Sequence, residues 1–272
     1  MKKTALPAAI IALASALSLG SCDAMFNTNL FYAAKLGQFD INNYSMKSLS
    51  DIIAAVTSSA TRLYEQLADN PSLKSDALAT LASDPTPENN ALAAAIIINT
   101  SSAGSVIDNA PKAVNYLTTL ADITPTPSTE TILTTALTDI LPADANPLTG
   151  GSFDNFAAMM TAFNDASTLL ATLPVTSSTD PVTGVITYTM TPLPGASAQD
   201  TATYALLSIG LSGIEDATIT NPTPADNTLA LWNAISTGDA SGLSISPSVY
   251  DTSTSTASPE VTSLLNVLGL SF

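Results

Sequence analysis

FDNFAAMMTAFNDASTLLATL, residues 153–173, is the stretch that decides the fold class. Phe153, Phe156, Ala157, Met160, Phe163, Leu170 and Leu173 recur at the three- and four-residue spacing that puts side chains on one face of a helix. Gly150-Gly151 stands before the stretch, Ser152 is placed to cap it, and Pro174 ends it.

The same reading extends outward in both directions. Leu49, Ile52, Ile53, Val56, Ala60, Leu63, Tyr64 and Leu67 form a second stripe, closed by Asn70-Pro71. Ile132, Leu133, Ala136, Leu137, Ile140 and Leu141 form a third, closed by Pro142. Ala91 to Ile98 is apolar throughout and too short to span a bilayer, which predicts a helix buried on all sides. A Pro-Thr-Pro cassette recurs at Pro85-Thr86-Pro87, Pro125-Thr126-Pro127 and Pro222-Thr223-Pro224, each opening a helix with proline where the missing N–H costs little. The helix pairs read after the three copies are 88–102 with 109–122, 128–141 with 152–173, and 225–237 with 258–269. The first two copies lie 40 residues apart, the length of a helix-hairpin repeat, but the third breaks the period.

Two segments read otherwise. Val175, Val182, Val185, Ile186 and Tyr188, with many threonines around Asp180-Pro181 and Gly184, predict a β-hairpin over about 175–190. Ser241 to Ser258, rich in Ser, Thr and Gly, reads as a loop. At the C-terminus, Ser258 as N-cap, Pro259 at the first helical position and Val261, Leu264, Leu265 and Leu268 on one face predict a helix ended by Gly269. The competing alternation of Leu264, Leu268, Leu270 and Phe272 would suit a terminal barrel strand, but it leaves Leu265 and the capping residues unexplained. The expected fold is therefore mainly all-α: an irregular array of antiparallel helix hairpins, with a solenoid-like stacking as one form it can take, and one small inserted β-hairpin.

Composition removes several chemistries. The 272 residues include no histidine and one cysteine, so there is no Ser-His-Asp triad, no Cys-His pair and no imidazole metal site. Seven basic residues face 23 acidic ones, for a net charge of −16. The last basic residue is Lys112, and residues 113–272 carry 14 acidic groups and no Lys or Arg, a charge of 0 − 14 = −14. Such a surface repels nucleic-acid phosphates, so no nucleic-acid partner is expected. It suits solubility in a salty extracytoplasmic space, or alternatively a face for cations or a basic partner.

What remains is carboxylate chemistry, and it is thin. Glu215-Asp216, the adjacent acidic pair, could bind Ca²⁺ or serve acid–base catalysis, and reads more simply as a helix end facing water. Asp144-Ala145-Asn146 followed by Gly150 resembles part of a calcium loop, but Leu148 takes a ligand position. Asp251-Thr252-Ser253 resembles half of an aspartic-protease site, with no second half. Trp232 and Tyr204, on apolar helices, could stack on a ligand but are expected in the core. No catalytic residue, cofactor or metal follows from these patterns, and the chain is expected not to be an enzyme.

The N-terminus has its own signature. Lys2 and Lys3 precede an apolar run from Leu6 to Leu19, shorter than the roughly 20 residues a spanning helix needs, and the run ends in Leu19-Gly20-Ser21-Cys22. This resembles the lipobox of bacterial lipoprotein precursors, a type II signal peptide: an aliphatic residue, two small residues and the cysteine. The resemblance implies diacylglyceryl transfer to the Cys22 thiol, cleavage before it and acylation of the new amine. It divides the chain into a signal peptide at 1–21, a lipid-anchored N-terminal segment at 22–47 and a helical domain at 48–272. Two or three acyl chains, at about 0.8 kcal/mol per buried CH₂, hold a protein stably on a membrane. Asp23 resembles the inner-membrane retention signal of enteric bacteria, whereas other phyla sort by other rules, and the outer membrane is the favoured address. The expected function is a membrane-anchored binding or scaffold module for an envelope protein or peptide. The alternatives are a structural subunit of an outer-membrane or surface assembly and a carboxylate-based hydrolase.

Overall fold

The computed structural model describes residues 64, 67–107, 109, 135, 138–251, 254 and 256–270. Over these the chain is mainly helical, with small antiparallel strand pairs between the helices. The helices are α1 (Pro71–Ala82), α2 (Pro87–Asn99), α3 (Phe153–Leu170), α4 (Ala198–Ser212), α5 (Pro224–Thr237) and α6 (Pro259–Val267), with further helical residues at 67–69, 103–107 and 138–140. The strands are β1 (Val175–Thr179), β2 (Ile186–Met190), β3 (Ile214–Asp216), β4 (Leu243–Ile245), β5 (Tyr250–Asp251) and β6 (Thr256–Ala257).

The centre of the molecule is α3, which packs against α2 on one side, α4 on another and α5 near its start. Phe156, Met160, Phe163 and Leu170 are buried as the spacing predicts, and Met159, Ala162 and Ala166 join them. A helix wedged between two others buries more than the ~100° stripe of a surface helix. Ser152 caps it by accepting from the Asn155 N–H at 3.2 Å. Leu173 is buried just past its end.

Buried almost all round, α2 has Ala91 to Ile96 and Ile98 in the core and Ile97 half-buried. The Pro-Thr-Pro cassettes act as helix starters. Thr86 accepts from Asn89 N at 3.2 Å and Thr223 from Asp226 N at 3.3 Å, with Pro87 and Pro224 in the first turn. The copy at 125–127 lies outside the described residues, as do most of the expected helices at 49–67, 109–122 and 128–141. Of these, Tyr64 and Leu67 are helical and buried, as is Ile140, and Leu141 is buried before Pro142.

Asn70-Pro71 ends one helix and opens the next. Asn70 accepts from Leu73 N at 3.3 Å, and Pro71 begins α1, which the sequence reading left unassigned. The second unassigned span is α4, apart from the placing of Tyr204 on a helix. Its buried face mixes Thr201, Thr203 and Ser208 with Ala202, Ala205, Leu206, Leu207 and Leu211, so no apolar stripe stands out. Thr201 is accommodated in the core because its hydroxyl donates to Ser197 O at 2.9 Å and accepts from Leu193 N at 2.8 Å.

The expected single hairpin at 175–190 is present, pairing Val175 with Met190 and Thr179 with Ile186. Two further strand pairs correct the expectation of only one. β3 pairs with β4, bringing Ile214 opposite Ile245, and β5 pairs with β6, so 241–258 is not simply a loop. The overlooked signal in β4 is Leu243-Ser244-Ile245, which alternates buried, half-buried, buried. At the C-terminus α6 is a helix, capped by Ser258 accepting from Val261 N at 3.2 Å, with Val261, Leu264, Leu265 and Val267 buried and Leu268 half-buried. It packs on α4 and on both strands of the first hairpin.

Candidate functional site

A cleft of about 480 Å³ opens between the first half of α3, the junction of α4 with β3, and the first turn of α5. Helical spacing on α3 aims Phe153, Met160, Thr161 and Asn164 toward it, and Leu211 and Ile214 complete an apolar floor. Thr223, Asn227 and Thr228 form the opposite rim. The capping box that starts α5 fixes that rim, because Asp226 Oδ2 accepts from Thr223 N at 2.9 Å and from Thr223 Oγ1 at 2.6 Å. These bonds from Thr223 hold the exposed Asp226 carboxyl below the ordinary aspartate range.

The rim hydroxyls are already committed. Thr161 donates to Ala157 O at 2.9 Å, Thr228 to Pro224 O at 2.7 Å, and Ser212 to Ser208 O at 2.6 Å. Asn227 Oδ1 accepts from Asp216 N at 2.9 Å and so ties α5 to β3. Among the described residues no titratable side chain lines the cleft. Its chemistry is that of contact: an apolar floor to seat an uncharged group, with amides at the edge.

The carboxylates singled out from the sequence are not brought together. Glu215 and Asp216 lie in β3 rather than at a helix end, both half-buried. Successive strand residues point to opposite faces, so the two groups diverge. Asp216 Oδ1 is taken up by Thr218, through its N–H at 2.8 Å and its hydroxyl at 2.6 Å. With Asp239, Asp216 edges a smaller hollow of about 290 Å³ beside α5. Among the described residues no three His, Cys, Asp or Glu side chains group as they would to hold a metal ion.

Asp144, Asn146 and Gly150 do not form a calcium loop. They make two 3-10 turns, Ala143–Ala145 and Pro147–Thr149, that lead into α3. Asn146 is buried and its amide is spent on the backbone: Nδ2 donates to Thr138 O at 3.2 Å, and Oδ1 accepts from Leu148 N at 3.0 Å. Gly151 crosses so close to these turns that a Cβ there would lie 2.8 Å from the Asp144 carbonyl and closer still to Asn146 N. The glycine pair thus serves a tight backbone crossing. Asp251 sits in β5 and accepts from Thr254 N at 3.4 Å, while Thr252 and Ser253 lie outside the described residues.

Trp232 packs edge-on against Phe153, with ring centroids 5.7 Å apart, and tilted against Phe156 at 5.3 Å. Tyr204 is half-buried against the same core. Both are packing residues. Lys74 is the one basic side chain among the described residues. Burial lowers its pKa, and the carboxylate of Asp165 partly opposes that.

Leu19, Gly20, Ser21 and Cys22 lie outside the described residues. No described helix is long and apolar enough to cross a membrane. The cleft went unseen in the sequence because its walls come from segments some 60 residues apart, each with an ordinary local reason for its residues. No protein-family model, no curated protein and no solved structure matches this chain.

Proposed function

We propose that the chain is a lipoprotein tethered through Cys22 to a membrane of the bacterial cell envelope, the outer membrane in preference to the inner. In this reading its helical domain is a non-catalytic binding or scaffold module for a protein or peptide of the envelope. The observation that carries the tether is the placement of the sole cysteine directly after Leu19-Gly20-Ser21, at the end of a basic-then-apolar leader. A lone cysteine in an oxidising compartment would otherwise be a liability. The binding role is supported by the apolar cleft between α3, α4 and α5 and by rim groups spent on internal hydrogen bonds rather than poised for proton transfer. The domain reads as an irregular array of helix hairpins: α1 and α2 pack as one unit, α2 and α3 as the next, α3 and α4 as a third, with strand pairs interrupting any regular repeat.

The test is metabolic labelling with palmitate in cells making the wild type or Cys22→Ala. Label should enter the wild type and be lost in the variant. A labelled variant, or an unlabelled wild type, overturns the tether.

A further inference from the structure

β3 has an edge that its sheet does not use. In the β3–β4 pair, Ser246 N donates to Gly213 O at 2.7 Å and Ala217 N to Gly242 O at 2.9 Å, so residues 213, 215 and 217 turn their peptide groups toward β4. Ile214 and Asp216 turn theirs the other way. For Ile214 N–H the direction is fixed, because it lies opposite Gly213 C=O in one trans peptide unit. The sheet has two strands, so no third strand meets that edge among the described residues.

Asp216 is provided for on this edge. Its N–H donates to Asn227 Oδ1 at 2.9 Å, and its carbonyl accepts from Ile219 N at 3.3 Å. Ile214 is not. Among the described residues neither its N–H nor its C=O has a hydrogen-bond partner. Ile214 is buried, and buried backbone groups are almost always paired. An open N–H and C=O on one residue are the two groups that a residue of an added antiparallel strand engages with both of its bonds.

The same edge borders the cleft between α3, α4 and α5. Asn227, which marks the edge by bonding Asp216, lines the cleft together with Ile214. The groups left open there are of one chemical kind. Asn227 Nδ2 and the side-chain amide of Asn164 have no hydrogen-bond partner among the described residues, whereas the rim hydroxyls are spent on their own helices. No titratable side chain lines the cleft, so a charged group entering it would lose hydration and find no counter-charge. Phe153, Met160 and Leu211 supply apolar contact below these amides. Amide donors and acceptors around an apolar floor complement a polypeptide main chain that carries uncharged side chains. Addition of such a chain to an open strand edge takes its affinity from the main-chain bonds and its selectivity from the pockets beside them.

We propose that an extended, uncharged peptide segment of a partner binds in the cleft as a third strand on β3. One of its residues exchanges both backbone bonds with Ile214, and an apolar side chain of the segment rests on Phe153, Met160 and Leu211. This deepens the reading of the domain as a binding module and rests on it, but not on the lipid at Cys22.

The test selects short peptides from a displayed random library on the full chain in detergent. Binders are synthesised with both ends capped and titrated against wild type, Thr161→Trp and Ala158→Trp. Thr161 is an exposed residue of the cleft wall, so the indole obstructs the cleft. Ala158 is exposed on the same helix outside the cleft lining and serves as the control. Circular dichroism checks the fold of both variants. Each amide of the peptide is then N-methylated in turn, which removes one donor. That scan uses wild type, so it stands even where a tryptophan variant fails to fold. The expected binders are uncharged peptides whose affinity falls on the order of tenfold or more in Thr161→Trp and is unchanged in Ala158→Trp. Sensitive and tolerant amides should alternate along the peptide, because successive strand residues turn their N–H groups to opposite edges. Binders that depend on charge, a scan without alternation, or affinity indifferent to Thr161→Trp overturn strand addition at β3 and leave the binding module standing. A library that yields no binder overturns both.

Discussion

Ser208 sits on α4 with no exposed surface, and its hydroxyl has no hydrogen-bond partner. Its neighbour Ser212 shows the usual solution, turning its hydroxyl back onto the helix carbonyls of Ser208 and Ile209. A buried hydroxyl left unpaired carries its desolvation cost without return. Ser208→Ala removes that cost, and alanine is also the better helix former. The variant should be more stable by about 1 kcal/mol, raising the melting temperature by roughly 2–4 °C for a domain of this size. A variant that melts below wild type would show that the hydroxyl has a use in the fold. Asn146 is the opposite case, a buried amide with both ends satisfied, and there the pairing explains the residue.

At the scale of elements, the caps organise this chain. Thr86, Ser152, Ser197, Thr223 and Ser258 each accept from a backbone N–H in the first turn of the helix they open. Thr223→Ala should cost about 1 kcal/mol at neutral pH, read as a lower melting temperature. The cost should also depend on pH. Thr223 holds the Asp226 carboxyl below its ordinary range. A group with a depressed folded pKa contributes stability above its unfolded pKa and loses it as pH falls through the folded one. The gap between wild type and Thr223→Ala should therefore narrow below the ordinary aspartate range. A gap that stays constant with pH would mean that the carboxylate takes no part in the cap. Where the caps coincide with an apolar stripe, as at Ser152 and Ser258, the helix is legible in the sequence. α4 has its cap at Ser197 and Asp200 but no stripe, because Thr201, Thr203 and Ser208 occupy buried positions, the two threonine hydroxyls bonding back to the preceding turn.

For the whole molecule, the sharpest test is the last helix. α6 contributes Val261, Leu264, Leu265 and Val267 to the core and covers the base of the β1–β2 hairpin. Each such side chain is worth roughly 1.5–3 kcal/mol on burial, so the four together rival the ~5–15 kcal/mol that holds an ordinary domain. A chain ending at Ser258 should lose its cooperative thermal transition and show reduced helicity by circular dichroism. If the truncated chain melts as the full chain does, α6 is an appendage and the packing described for it does not matter to stability.

Local physics was written in the residues themselves. Helical spacing at 153–173, the all-apolar run at 91–98, the Pro-Thr-Pro starters and the turn chemistry of Asp180 and Gly184 each depend on neighbours within a few positions. The expected tether at Cys22 is local in the same sense. Tertiary structure alone decided the rest. It sent Glu215 and Asp216 to opposite faces of a strand that exists because β4 lies beside it, and it surrounded α3 with three helices. It also opened a cleft between segments remote in the chain and left the aliphatic tip of one hairpin uncovered. Strand pairing and burial are set by what the rest of the chain brings alongside, and no window of local sequence contains that information.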